Sequence, residues 1–307
     1  MRAGAARELG SPVHFTTGRS ESDTGRAYYP ESMGPAFAFL LSAYFAVLAP
    51  SQRPSRPVPK ESLNNGDHWR IETERGFVHV WRPHGYEASS AGIIVYVHGY
   101  YTDVDTAWSK HRLVDQFDAS GKNALFVVGE APVSSDDEVT WPELGDLLRA
   151  VTAGTGQSLP RGPLIVIGHS GAYRTVVGWL DYPPVRHIIL LDAMYGNEED
   201  YLAWLEESRG HAGRRLTIIA NDTTRWAEPF VKRLAYAQTS LKIPETIEEL
   251  PPLLRDARVL YLRSQIAHME IVTGGKILPM ILQRLKLKNL KPVVADLPAQ
   301  PAAPGSP

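Results

Sequence analysis

The chain has 307 residues, 43% of them apolar and 21% charged, which is enough to bury a core and excludes full-length disorder. Its 34 acidic and 32 basic side chains leave a net charge of −2 with no basic cluster, so no nucleic-acid partner is expected. There is no cysteine, which excludes disulfides, thiolate metal sites, Fe–S clusters, a cysteine nucleophile and a lipobox anchor.

In chain order, residues 1–32 are Gly-, Ser-, Arg- and Glu-rich and show no periodicity. Residues 35–49 (PAFAFLLSAYFAVLA) form an apolar stretch of 15 residues. That is shorter than the ~20 of a membrane-spanning helix, so no stable transmembrane helix is expected. Its length suits a signal-peptide core, with Val47, Leu48 and Ala49 placed for cleavage, and export to the periplasm or the medium is the expectation. Pro50 follows at once and no basic cluster precedes the stretch, so a helix packed on the domain or a membrane-surface anchor, in a protein that stays cytoplasmic, is the alternative. Residues 50–60 carry four prolines and read as a stiff linker. The expected organisation is an N-terminal region over 1–60, one folded domain over 61–291, and a disordered Pro/Ala-rich tail over 292–307.

Within the domain, His68–Thr73 and Phe77–Trp81 flank Glu74-Arg75-Gly76 and predict a hairpin. Continuous apolar runs predict strands buried on both faces at Gly92–Val97, Ala124–Val128, Leu164–Ile167, His187–Leu191, Leu216–Ala220 and Arg258–Leu262. Amphipathic segments between them predict helices over Thr106–Phe117 with Thr106 as N-cap, Trp141–Thr152, Gly171–Leu180, Glu198–Glu207 and Lys276–Leu285. Strands alternating with helices predict the α/β class: a mostly parallel central sheet with helices on both faces. The 35 residues from Thr223 to Ala257 carry an amphipathic helix near Trp226–Ala237 and read equally as a lid over a site or as an enlarged crossover. Ser134-Ser135-Asp136-Asp137-Glu138 reads as a solvated loop before a helix start, or less simply as a cation site.

The informative stretch is Gly168-His169-Ser170-Gly171-Ala172, which directly follows a buried strand and opens a helix. A sharp turn there thrusts the serine out of the sheet, and small residues two before and two after it let strand and helix pass closely. The stretch resembles the nucleophile elbow, G-x-S-x-G, of the α/β-hydrolase superfamily, with Ala172 in place of the last glycine. Read without the resemblance, it is a βα turn with a capping serine. His268 lies in the loop after the last strand, where the family places its base. Two acids end strands at the carboxyl edge of the sheet: Asp192 after His187–Leu191, and Asp222 after Leu216–Ala220. Family order favours Asp222, a minority pattern favours Asp192, and the way Asp192 follows its strand directly tips the reading toward it.

The strand ending in His98-Gly99-Tyr100-Tyr101 resembles the family's oxyanion segment, without its glycine-rich form. The resemblance implies an α/β-hydrolase-like fold over about residues 68–286 and covalent acyl-enzyme catalysis. In it Ser170 is the nucleophile, His268 the base, Asp192 (alternative Asp222) the acid, and the Gly171 and Tyr100 amides the oxyanion donors. His98 is expected to brace its loop, and with Tyr101, Trp108, His169 and Met269 to border the substrate pocket. No cofactor and no metal are needed. The expected partner is a small-molecule or acyl substrate, with a carboxylic ester first and a peptide or amide second. A non-catalytic binding protein on the same fold is the third reading. No H-E-x-x-H, Walker or dinucleotide-binding pattern is present.

Overall fold

The computed structural model describes residues 57–207 and 213–291. The apolar stretch at 35–49, most of the proline linker and the tail from 292 lie outside them. Ten strands form one sheet among the described residues. A short β1 (Glu61–Ser62) and the hairpin β2 (Gly66–Thr73) and β3 (Gly76–Pro83) open it, followed by β4 (Gly92–Val97), β5 (Ala124–Gly129), β6 (Leu164–His169), β7 (Val185–Leu191), β8 (Arg215–Ala220), β9 (Ala237–Ser240) and β10 (Val259–Arg263). Across the sheet the order is β1-β2-β3-β5-β4-β6-β7-β8-β10-β9. The first three pairings are antiparallel, and all pairings from β5 onward are parallel. This is the strand arrangement of the α/β-hydrolase fold.

The continuous apolar runs have a simple cause. Side chains alternate across each strand, and both faces of this sheet are covered. In β4, Ile93, Val95 and Val97 enter one core while Ile94 and Tyr96 enter the other. The first core is closed by helices α3 (Leu144–Thr155), α4 (Tyr173–Gly178), α5 (Glu198–Glu206) and α6 (Thr224–Lys232). The second is closed by α1 (Val104–Lys110), α2 (Leu113–Ser120), α8 (Glu270–Thr273) and α9 (Ile277–Gln283). Among the described residues no helix is long and apolar enough to cross a membrane.

Several local expectations need correction. The single helix over Thr106–Phe117 is two, because Arg112 takes a left-handed conformation (φ 48°) between α1 and α2. The N-cap of α1 is Asp103, whose carboxylate accepts from the Thr106 amide at 2.8 Å, so Thr106 is already inside the helix. Helix α3 starts at Leu144 and leaves Trp141 and Pro142 outside it. The segment 223–257 is a crossover rather than a cover: after α6 it lays β9 parallel to β10 at the sheet edge, then adds α7 (Pro252–Arg255).

The register brings the carboxyl ends of the parallel strands into line. Val97 pairs with Gly168, Gly168 with Leu190, Leu191 with Ile219, and Ala220 with Arg263. The order reverses at β4, which lies between β5 and β6, so the loops after β4 and β6 stand side by side. Crevices at such reversals are where open α/β sheets bind ligands.

Candidate active site

Strand β6 ends at His169, and the next residue, Ser170, has φ 53° before a single 3-10 turn leads into α4. A non-glycine residue held there costs on the order of 1–3 kcal/mol, so the surroundings must impose it. They do so by close packing. A Cβ on Gly168 would lie 2.7 Å from Val176 Cγ2 and 3.3 Å from the Ala172 Cβ, so only glycine fits at 168 while the alanine at 172 is accommodated. A Cβ on Gly99 would lie 2.7 Å from the Ser170 Cβ and 3.0 Å from the His169 carbonyl. Gly99→Ala is therefore expected to push Ser170 out of position. Since a misplacement of ~1 Å can cost about 10²-fold in rate, turnover should drop by that order while the protein stays folded, checked by kcat beside a melting curve.

Asp192, immediately after β7, is the second left-handed residue of the edge (φ 47°). It is 0% exposed, and its amide donates to the Ile219 carbonyl at 2.7 Å. Its carboxylate accepts from the amides of Asn221 (2.9 Å), Asp222 (3.1 Å) and Thr223 (3.0 Å), from the Thr223 hydroxyl (2.7 Å), and from His268 Nδ1 (2.7 Å). Burial alone would raise this carboxyl, but the hydrogen bonds from His268, Thr223 and Asn221 outweigh it and hold the group well below the usual carboxylate range. Asp222 lies 4.0 Å from the same His268 nitrogen, with its side chain 62% exposed. Of the two acids, the structure thus seats Asp192 on the imidazole. Asp192, Asp222 and His268 also bring donors within 4.8 Å of one another, the one such grouping suited to a metal ion among the described residues, but five hydrogen bonds already occupy the Asp192 oxygens.

The loop that carries His268 is pinned to the sheet. The Ser264 amide donates to the Ala220 carbonyl at 2.8 Å, and Asn221 Nδ2 donates to the Ile266 carbonyl at 2.6 Å. His169, the residue before the serine, lies beneath it: the two rings are 4.7 Å apart, and His169 Nε2 donates to the His268 carbonyl at 3.3 Å. Burial, with repulsion from His268, pushes the His169 imidazole down to about 3 and so favours its neutral form. The serine, the imidazole and the Asp192 carboxylate, drawn from three strand ends, therefore share one part of the sheet edge.

The other predicted residues fall in different places. His98 is buried; its Nδ1 donates to the Gly99 carbonyl at 2.8 Å and its Nε2 meets the Glu130 carboxylate at 3.0 Å, which braces the loop. The ring of Tyr100 lies directly over Gly171, where an added Cβ would sit 2.6 Å from it. The Tyr101 amide is committed to the Val133 carbonyl at 2.7 Å and its side chain points to solvent. Met269 is half exposed beside His268. Trp108 is not at this edge: it stacks on His68 and His79 because α1 crosses the opening hairpin there. His169 is buried under the imidazole rather than exposed in a pocket wall. In the acidic run, Asp137 accepts from the Val133 and Ser134 amides at 3.1 and 2.8 Å, which is a loop-folding role.

Sequence reasoning missed Tyr195, whose side chain lies close to Ser170. Its ring lies 5.5 Å from Tyr173 and 5.2 Å from Trp226, and Arg174 donates to the Ser135 carbonyl at 2.8 Å and to the Tyr100 hydroxyl at 3.4 Å. Aromatic residues thus flank the serine from the loops after β4, β6, β7 and β8. The available signal was the placing of Tyr173 and Tyr195 just after the ends of β6 and β7.

No family model matches this chain, and no curated protein matches it. Among solved structures it is similar to the feruloyl esterase module from Clostridium thermocellum, at 14% identity over 78% of this chain and 95% of that one, TM-score 0.43. It is also similar to an arylesterase (12% identity, 81% and 97% covered, TM-score 0.43) and to an esterase from the archaeon Pyrobaculum calidifontis (13%, 83% and 96%, TM-score 0.41). The fold of this chain rests on its own strand order.

Proposed function

We propose that the protein is a serine hydrolase that cleaves carboxylic esters of small-molecule or acyl substrates through an acyl-enzyme intermediate. The observation that carries this reading is the buried, five-fold hydrogen-bonded Asp192 seated on Nδ1 of His268 at the edge where Ser170 is held in a strained turn. The carboxylate fixes the imidazole with hydrogen on Nδ1 and leaves Nε2 as the basic nitrogen. On substrate binding the Ser170 hydroxyl gives its proton to Nε2 while Oγ attacks the ester carbonyl. The imidazolium that results is stabilised by Asp192 and then protonates the departing alcohol. The Gly171 amide, at the start of the helical turn, and the Tyr100 amide receive the oxyanion, each such donor contributing roughly 3 kcal/mol. Water, deprotonated by His268, releases the acid by the same steps in reverse.

Pre-steady-state hydrolysis of p-nitrophenyl acetate tests this directly. A burst of one p-nitrophenolate per protein followed by slower turnover supports a covalent acyl-enzyme. No hydrolysis at all from folded protein with esters of any chain length contradicts it. Aminoacyl p-nitroanilides in parallel distinguish ester from amide cleavage by the same groups.

A further inference from the structure

Two further buried histidines lie away from this edge. His68 on β2 and His79 on β3 are each 3% exposed. Their rings are nearly coplanar, 12° apart with centroids 5.1 Å from each other, and they meet nitrogen to nitrogen: His68 Nε2 is 2.9 Å from His79 Nδ1. The outer nitrogens meet carboxylates, His68 Nδ1 on Glu61 Oε1 at 2.6 Å and His79 Nε2 on Asp105 Oδ1 at 2.8 Å. Three hydrogen bonds therefore run in one line from carboxylate to carboxylate.

Counting hydrogens along that line fixes the charge. Ionised carboxylates only accept, so both outer nitrogens carry a hydrogen. The inner contact needs one more, because otherwise two lone pairs oppose each other at 2.9 Å. Two neutral imidazoles supply two ring hydrogens, and the line needs three. We propose that His68 and His79 form a proton-binding site, an imidazole–imidazolium pair that holds one proton between His68 Nε2 and His79 Nδ1.

The surroundings suit a single positive charge. The charged groups that face the pair are Glu61 from β1, Arg70 from β2 and Asp105 from α1. Arg70 donates Nε and Nη2 to the two Asp105 oxygens at 2.7 and 2.6 Å. Two carboxylates are then balanced by one guanidinium and one shared proton, whereas a neutral pair leaves the cluster with an excess negative charge. From α1 the Trp108 indole stacks on both imidazoles, 4.9 and 4.6 Å away and tilted 18° and 13°, and presents its π face to the cation. Desolvation pulls both rings down, His79 to about 4, with repulsion from a charged His68 adding to it. Desolvation thus opposes charge on the pair, and it is the hydrogen count between the two carboxylates that calls for one proton and no more. Loss of the proton breaks the Glu61 end first, since Glu61 is 69% exposed and Asp105 keeps Arg70. The site thus couples the short strand β1 to the hairpin and to α1, and it stands independently of the hydrolase reading.

Long-range ¹H–¹⁵N spectra of the full chain with ¹⁵N-labelled histidine, at about pH 7, read this charge directly. With signals assigned from His68→Gln and His79→Gln, the wild-type pair should show three hydrogen-bearing ring nitrogens and one bare one. Glu61→Ala, at an exposed residue, removes one acceptor, so two neutral rings then satisfy the remaining bonds and the pair should lose its charge. If the histidine variants do not fold, Glu61→Ala and Asp105→Asn supply the assignment. Two bare nitrogens in the wild-type pair, or a charge state that Glu61→Ala leaves unchanged, would overturn the proposal.

Discussion

Ser170→Ala is expected to lower kcat for ester hydrolysis by about 10⁶-fold, the scale seen when a nucleophile is removed from a set that acts as a unit. The fold should survive, because Ser170 is only partly buried and the substitution removes a single hydroxyl. Alanine also occupies the left-handed turn no worse than serine does. The variant should therefore melt close to the wild type while turnover falls to background. An activity loss matched by unfolding would assign the residue a structural role instead.

The second large effect separates the two acids. Asp192→Asn is expected to cost about 10⁴ in kcat, because an amide at this position offers N–H to His268 Nδ1 and turns the imidazole to the wrong tautomer. Asp222→Asn should leave kcat within about threefold, since its side chain is exposed and lies farther from the ring. Stability provides a second readout. The folded-state Asp192 carboxyl is depressed below its unfolded value of about 3.9, so its contribution is present above that pH and is lost as pH falls through the folded value. Asp192→Asn should accordingly melt lower than wild type at neutral pH, with the gap narrowing below about pH 4, and Asp222→Asn should show no such gap.

The sheet was readable from the sequence because its central strands are buried on both faces, which writes them as unbroken runs such as GIIVYV and ALFVVG. Strand β9 was not, because Ala237–Ser240 (AQTS) is a half-covered edge strand with no apolar run to mark it. The break at Arg112 was hidden for a related reason: Leu113, Val114 and Phe117 continue the apolar spacing of α1, and only the backbone turn separates the helices. At the candidate site, the sequence marks Ser170 and His268 through local signals, small flanking residues for one and a post-strand loop for the other. The choice between Asp192 and Asp222 was open because it turns on which strand end faces the imidazole, and that follows from the register of β7 against β8. Tyr195 and Trp226 were missed because their nearness to the serine comes from three adjacent loops and not from spacing along the chain. Trp108 is close to Tyr100 in sequence and distant from it in space, because α1 carries it back over the hairpin.

The proposed chemistry requires an activated Ser170 hydroxyl. Incubating the native full chain with a fluorophosphonate and mapping the adduct by peptide mass spectrometry reads that activation. One adduct per protein is expected on Ser170, absent in Ser170→Ala and much slower to form in His268→Ala. A folded wild-type protein that stays unlabelled, or that carries the adduct on another residue, would contradict it.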